Sequence, residues 1–205
     1  SLSGPATIDV TVRATTAAVR PFIVCAVLRD CTFDARAYHS FLDLQERLHH
    51  NIARRRTLVA IGTHDLDTLT PPFVYAAKSP RDISFVPLAQ TREFNAEELF
   101  EYYDDPKVNS PLRKFLPILE GQPAYPVVYD ANETVCSLPP IINGEHSRIS
   151  PETRNVFVEC TCTDLTTGHM VLNTVVAMFS QHSSPPSSVH VACTTRPNPP
   201  SPRKA

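Results

Sequence analysis

Pro139 and Pro140, set in the run SLPPIINGEHSRISPETRNVFVECTCTD from Ser137 to Asp164, restrict this chain more than any other stretch of it. Two adjacent prolines fix two backbone φ angles and remove two amide donors. The chain there is a pre-set extended turn, neither helix nor central strand. Asn143-Gly144 predicts a second tight turn just beyond. The segment NVFVECT then alternates, with Val156, Val158 and Cys160 on one face and Phe157, Glu159 and Thr161 on the other. A carboxylate held between an aromatic ring and a hydroxyl on an apolar strand must be hydrogen-bonded, paired or used.

The rest of the chain mixes strand and helix signals without regular alternation of the two. Ile8 to Val12, the strongly apolar Phe22 to Leu28, Leu58 to Ile61, Phe73 to Ala77, Ile83 to Val86 and Val189 to Cys193 predict strands. Asp34 is placed to cap a helix whose apolar residues Tyr38, Phe41, Leu42, Leu48 and Ile52 recur at helical spacing. Arg54, Arg55 and Arg56 follow, where cations suit the negative helix end. Asn95 with Glu98 predicts a capping pair for a short helix, and Ser110-Pro111 predicts the start of another. Val127 to Tyr129 and Thr134 to Ser137 predict a hairpin around Asp130-Ala131-Asn132, and Asp164 caps a second long helix. This order predicts an α+β fold, a layered sandwich of mixed β-sheets with helices packed on one side. The expected division is a partly strand-forming lead-in over 1–18, one folded unit over 19–193, and a disordered proline-rich tail or linker over 194–205.

A chain of 205 residues is long enough to bury a proper core. Only five glycines are present, which argues against a glycine-rich phosphate loop. A formal charge of −2 gives no global attraction to nucleic acid, so any such contact needs a local basic patch. No apolar run is long enough to span a membrane, and no partner membrane is expected. Ser1 in place of an initiating Met reads as the start of an excised piece. The six cysteines include no C-x-x-C pair, and Cys160 and Cys162 share one strand face, so buried reduced thiols of a cytoplasmic protein are expected.

His64-Asp65-Leu66-Asp67 carries metal-ligand residue types, but no second His or Cys lies at ligand spacing. A hydrogen-bonded turn is expected there, and no metal. His49, His50 and the three arginines could be a phosphate patch or a solvated helix end. Glu159 and Thr161, two apart on a strand, face the same way. From the residues alone Glu159 fits two roles: an acid tying down a loop, or the acceptor in a pocket walled by Phe157.

With these segments the chain resembles the editing module of phenylalanyl-tRNA synthetase beta subunits, in their archaeal and eukaryotic cytosolic form. The resemblance is carried by RPF at 20–22, LQERLHHNIARRRTLVAIGTHDLDTL at 44–69, AYPVVYD at 124–130, SLPPIINGEHSRI at 137–149 and TRNVFVECTCTD at 153–164. It implies hydrolysis of tyrosine wrongly attached to phenylalanine tRNA, within an α2β2 enzyme whose alpha subunit carries the ATP- and Mg2+-dependent ligation site. No cofactor is implied for the module itself. The resemblance makes Glu159 the residue that recognises the tyrosine hydroxyl, with Thr161, Ser137, Val128 and His64 around the substrate. Asn143, Gly144 and Thr161 become the candidates for placing the aminoacyl end. The family commonly reads T-G-T-D where this chain has Thr161-Cys162-Thr163-Asp164. That departure leaves a second reading open, a non-catalytic module that holds the subunit or guides tRNA.

Overall fold

The computed structural model describes residues 8–180, 189–190 and 196–197. In chain order its elements are β1 (Val10–Val12), β2 (Phe22–Leu28), α1 (Ala35–His50), β3 (Val59–Asp65), β4 (Phe73–Lys78), β5 (Ser84–Phe85) and β6 (Phe94–Asn95). There follow α2 (Ala96–Asp104), β7 (Tyr125–Tyr129), β8 (Val135–Leu138), β9 (Ile142–Asn143), β10 (Val156–Cys162), α3 (Leu165–Ser180), β11 (Val189–His190) and β12 (Arg196–Pro197). One sheet runs β12-β1-β4-β7-β8-β9, a second runs β11-β2-β10-β3, and β5 pairs with β6. The pairing of β1 with β4 and β12 is parallel and the other pairings are antiparallel, so the larger sheet is mixed. This is the expected α+β class with mixed sheets, but its helices are divided between two faces instead of packed on one side.

The alternation along β10 sorts its residues between two cores. Val156, Val158, Cys160 and Cys162 pack with Val24, Val59 and Ile61 of the neighbouring strands, against Phe41 of α1 and Val171, Val175 and Phe179 of α3. The two long helices therefore cover one face of the four-stranded sheet. Phe157, on the opposite face, packs with Ile23, Cys25, Phe73, Tyr75, Val128 and Cys136 between the two sheets. Its ring stacks on Phe73 at 4.2 Å between centroids. The far face of the larger sheet is covered by α2 and the 3-10 segment Arg113–Ile118, through Leu99, Tyr103, Phe115 and Leu116. Each large apolar side chain buried this way contributes about 1.5–3 kcal/mol.

Local signals set the helix starts. Asp34 Oδ1 accepts from the Ala37 amide, Asp164 Oδ2 from the Thr167 amide, and Asn95 with Glu98 closes a reciprocal capping box. Three segments differ from expectation. Gly62, Thr63 and His64 continue β3 as a strand, because each pairs with β10 (Gly62 opposite Glu159, His64 opposite Phe157). The tight turn lies at the diproline, where the Ile141 amide reaches Leu138 O, so Asn143 and Gly144 run on in extended pairing. Ser110-Pro111 leads into a 3-10 segment instead of an α-helix, since Pro117 inside it has no amide to donate. Of the expected closing strand, Val189 and His190 pair with β2, while 191–193 lie outside the described residues. Of the expected tail, Arg196 and Pro197 lie beside β1, and 194–195 and 198–205 are outside the described residues.

This layering fixes where Cys162 packs. Its side chain is fully buried on the helix face, where Gly168 of α3 makes room: a Cβ on Gly168 would stand 2.5 Å from Cys162 Sγ. A helix normally gains about 1 kcal/mol when glycine becomes alanine. Overpacking here costs about 1–3 kcal/mol instead. Gly168→Ala should therefore destabilise the parent chain but stabilise the Cys162→Ala variant, a change of sign that chemical denaturation reads directly.

Candidate functional site

β10 presents Glu159 towards the larger sheet at the level where β3 supplies Gly62 and β8 supplies Ser137. The missing side chain of Gly62 is what admits the carboxylate. A Cβ there would collide with Glu159 Oε1, lie 2.8 Å from Glu159 Cγ and lie 2.9 Å from His64 Nε2. Gly62→Ala should cost about 1–3 kcal/mol through this collision. Removing the acid by Glu159→Ala in the same chain takes away both contacts with Glu159 and should recover part of that loss, as compared by the two denaturant midpoints.

The two carboxylate oxygens of Glu159 have different surroundings. Oε1 accepts a short hydrogen bond from the Ser137 hydroxyl and stands 3.4 Å from His64 Nε2, whose Nδ1 is 2.8 Å from Ser147 Oγ. Oε2 is buried and has no hydrogen-bond partner among the described residues. Glu159 lines a cavity of about 500 Å³ together with Ser137, Gly62, Asn143, His49 and Arg56. That volume is in the range of small-molecule sites. A buried oxygen without a donor is expensive to keep, and beside a cavity it is an acceptor poised for a ligand hydroxyl.

The residues singled out from the sequence fall in two shells. Ser137, Glu159 and Asn143 line the cavity. Asn143 is steadied by its side-chain amide donating to Thr63 O at 3.3 Å. His64 and Thr161 lie behind it. The Thr161 hydroxyl accepts from Arg20 Nε at 3.0 Å, and His64 braces Glu159 from the side. Val128 is in the core between the sheets. Gly144 has its place because a Cβ would press on Val135 O at 2.7 Å, a packing requirement of β8. The acids of the 64–67 stretch are engaged as a hydrogen-bonded turn, with Asp65 accepting from Thr153 and from the Asp67 amide and Asp67 from Asn155.

Sequence reasoning gives no role to two contributors, Arg20 and Gly62, and assigns two more, His49 and Arg56, to a phosphate patch or a solvated helix end. Arg20, in the RPF segment, is 2 % exposed and donates to Thr161 O at 2.8 Å, Thr57 O at 3.1 Å and Arg56 O at 3.2 Å as well as to the Thr161 hydroxyl. Gly62 lies just past the strand that the sequence predicts over Leu58 to Ile61, and it pairs opposite Glu159. His49 is not a solvated helix end: it is 2 % exposed, and its Nε2 accepts from the Ile61 amide at 2.9 Å. Arg56 folds inward over the Phe115 ring at 4.3 Å and donates to Ile141 O and Glu46 Oε1, both at 2.9 Å. It does so because Arg54, Arg55 and Arg56 take positive φ values of 47°, 53° and 68°, a left-handed turn after α1. Three such residues in a row cost about 1–2 kcal/mol each, and strain of this kind collects at functional sites. The usable signal was glycine scarcity: a glycine inside a strand pattern marks a close approach.

The B3/4 domain family model matches residues 28–195. The chain is 58% identical over 168 residues to a phenylalanine–tRNA ligase beta subunit from Dictyostelium discoideum, covering 82% of this chain and 27% of that protein. It is 58% identical over 174 residues to the cytoplasmic beta subunit from Arabidopsis thaliana, covering 85% and 29%, and 52% identical over 183 residues to that from Homo sapiens, covering 89% and 31%. The chain thus spans less than a third of the length of these relatives. Its fold is similar to a crystal structure of an N-terminal fragment of the phenylalanyl-tRNA synthetase beta subunit from Pyrococcus horikoshii. The TM-score is 0.81 at 28% identity, over 90% of this chain and 50% of that one.

Proposed function

The chain belongs to the B3/4 domain family, in the form found in phenylalanine–tRNA ligase beta subunits, and on that premise we propose that it hydrolyses tyrosine from wrongly charged phenylalanine tRNA. The observation that carries this reading is Glu159 Oε2, a buried acceptor without a donor among the described residues, on a residue lining a cavity. Tyrosine brings the hydroxyl that fills it, and phenylalanine does not. The logic is that of a second sieve. A pocket made for phenylalanine excludes an added hydroxyl by only about 10², whereas a pocket that needs the hydroxyl can discriminate by about 10⁴–10⁵.

Within this reading Ser137 and His64 hold Oε1, which leaves Oε2 for the phenol. Arg20 and Thr161 hold β10 from behind, and Asn143 lies where the aminoacyl end would pass. The attacking water is placed by the cavity and the terminal ribose, so the protein contributes mainly orientation. The longer enzyme would supply ATP-dependent ligation, an alpha subunit partner and a cytoplasmic setting. The rival reading, a non-catalytic scaffold, drew on Cys162, and that side chain packs against Gly168, away from the cavity. The test is to incubate the complete enzyme with tyrosylated phenylalanine tRNA and follow tyrosine release, using phenylalanylated tRNA as the control. Equal release from both, or none from either, would refute the proposal.

A further inference from the structure

Among the described residues three buried side-chain polar atoms lack a hydrogen-bond partner: Glu159 Oε2, His49 Nδ1 and Arg56 Nε. All three residues line the same cavity. Folded proteins pair the great majority of such atoms, so orphans collected around one hollow point to a ligand that completes them.

The two nitrogens are both donors. His49 Nε2 accepts the Ile61 amide proton, which places the ring's own proton on Nδ1. Burial favours the neutral ring. Nδ1 faces Glu46 Oε1 at 3.7 Å, too long for a good hydrogen bond but close enough for the carboxylate to feel it, so its donor is at most weakly engaged. Arg56 commits Nη1 to Ile141 O and Nη2 to Glu46 Oε1, which leaves Nε–H. Glu46 is ionised, its carboxyl held at about 2 by the facing His49 ring and the Arg56 guanidinium. It therefore offsets the charge of Arg56. Two N–H donors in a locally neutral setting suit a polarised carbonyl, and the single negative charge that develops on it, better than a free phosphate.

We infer that His49 Nδ1–H and Arg56 Nε–H form a donor pole that holds the ester carbonyl oxygen of the aminoacyl ligand, complementing the acceptor at Glu159. The inference rests on the hydrolytic reading above. Water adds to the carbonyl carbon, and the C=O electron pair moves onto the oxygen held by the two N–H groups. Collapse breaks the ester C–O bond. The ribose oxygen leaves as a hydroxyl with one of the water protons, and tyrosine leaves as its carboxylate, releasing the other to solvent. The left-handed Arg54–Arg56 turn is the device that aims Arg56 inward.

The test is binding of two adenosine probes to the 205-residue chain. One carries tyrosine through a 3′-amide, and the other carries the tyrosine phosphonate that mimics the tetrahedral oxyanion. The parent should bind the phosphonate about 10²-fold more tightly. His49→Gln keeps an acceptor for the Ile61 amide but has no Nδ1–H, and should reduce that advantage to about threefold or less, since an oxyanion donor is worth about 10². His49→Asn keeps a donor near Nδ1 and loses the Ile61 contact; it should melt earlier yet retain most of the advantage. Equal affinity of the parent for both probes, binding of neither, or an undiminished advantage in His49→Gln overturns the inference. Phenylalanine versions of the probes separate the two ideas: a phosphonate advantage with no preference for tyrosine would sustain the donor pole and refute the role of Glu159.

Discussion

Changing Glu159 to alanine should lower tyrosine release from tyrosylated phenylalanine tRNA by about 10²–10³, and leave the slow release of phenylalanine unchanged. The size follows from what the substitution removes. A hydrogen bond to a charged acceptor in a buried site is worth about 1.5–3 kcal/mol, a factor of about 10–150. Losing the carboxylate also frees Ser137 and His64, both braced on Oε1, so the remaining wall loosens as well. The fold should survive, because the alternate face of β10 keeps its full apolar contact with α1 and α3. Circular dichroism confirms the fold, and deacylation of the two charged tRNAs gives the ratio. A ratio equal to the parent's would remove Glu159 from substrate selection.

The largest expected effect on stability lies at Arg20. Its guanidinium is almost wholly buried and satisfies the Thr161 hydroxyl and the carbonyls of Thr161, Thr57 and Arg56. Burial pulls its basicity down, with Tyr75 and Glu159 among the groups that oppose the shift. Arg20→Met would fill similar space but strand those oxygens, with Glu159 left without its nearby cation. Breaking a buried charged network from one side costs about 3–5 kcal/mol, a large part of a domain's total stability. Arg20→Lys should be intermediate, since an ammonium cannot reproduce the forked geometry. Urea denaturation is the measurement, with a lower midpoint at unchanged slope expected. A loss under about 1 kcal/mol would mean that the desolvation of the guanidinium cancels its hydrogen bonds.

The features legible in the sequence were those that depend on local pattern. The two faces of β10, the caps at Asp34, Asn95 and Asp164, and the hairpin around Asp130 all follow from spacing or from short polar side chains. Asp130 Oδ1 accepts from both the Asn132 and Thr134 amides, as such a turn requires. What escaped was set by partners far along the chain. Gly62-Thr63-His64 looks like a turn until β10 pairs with it. Arg20 looks like a surface residue until a strand about 140 positions later offers it oxygens. The inward fold of Arg56 depends on three left-handed residues that no local preference favours. The site was readable as a list of residue types around Glu159, and its second wall, at His49 and Arg56, was not.

β10 also works as a partition. Its helix face is packing against α1 and α3, while its other face carries Phe157 into the core between the sheets and Glu159 to the hollow. The partition holds for α3, which among the described residues sets none on the wall of the hollow, and fails for α1, which sets Tyr38, Glu46 and His49 there. Packing of Cys162 on Gly168 can therefore change independently of the cavity, whereas a shift of α1 alters both.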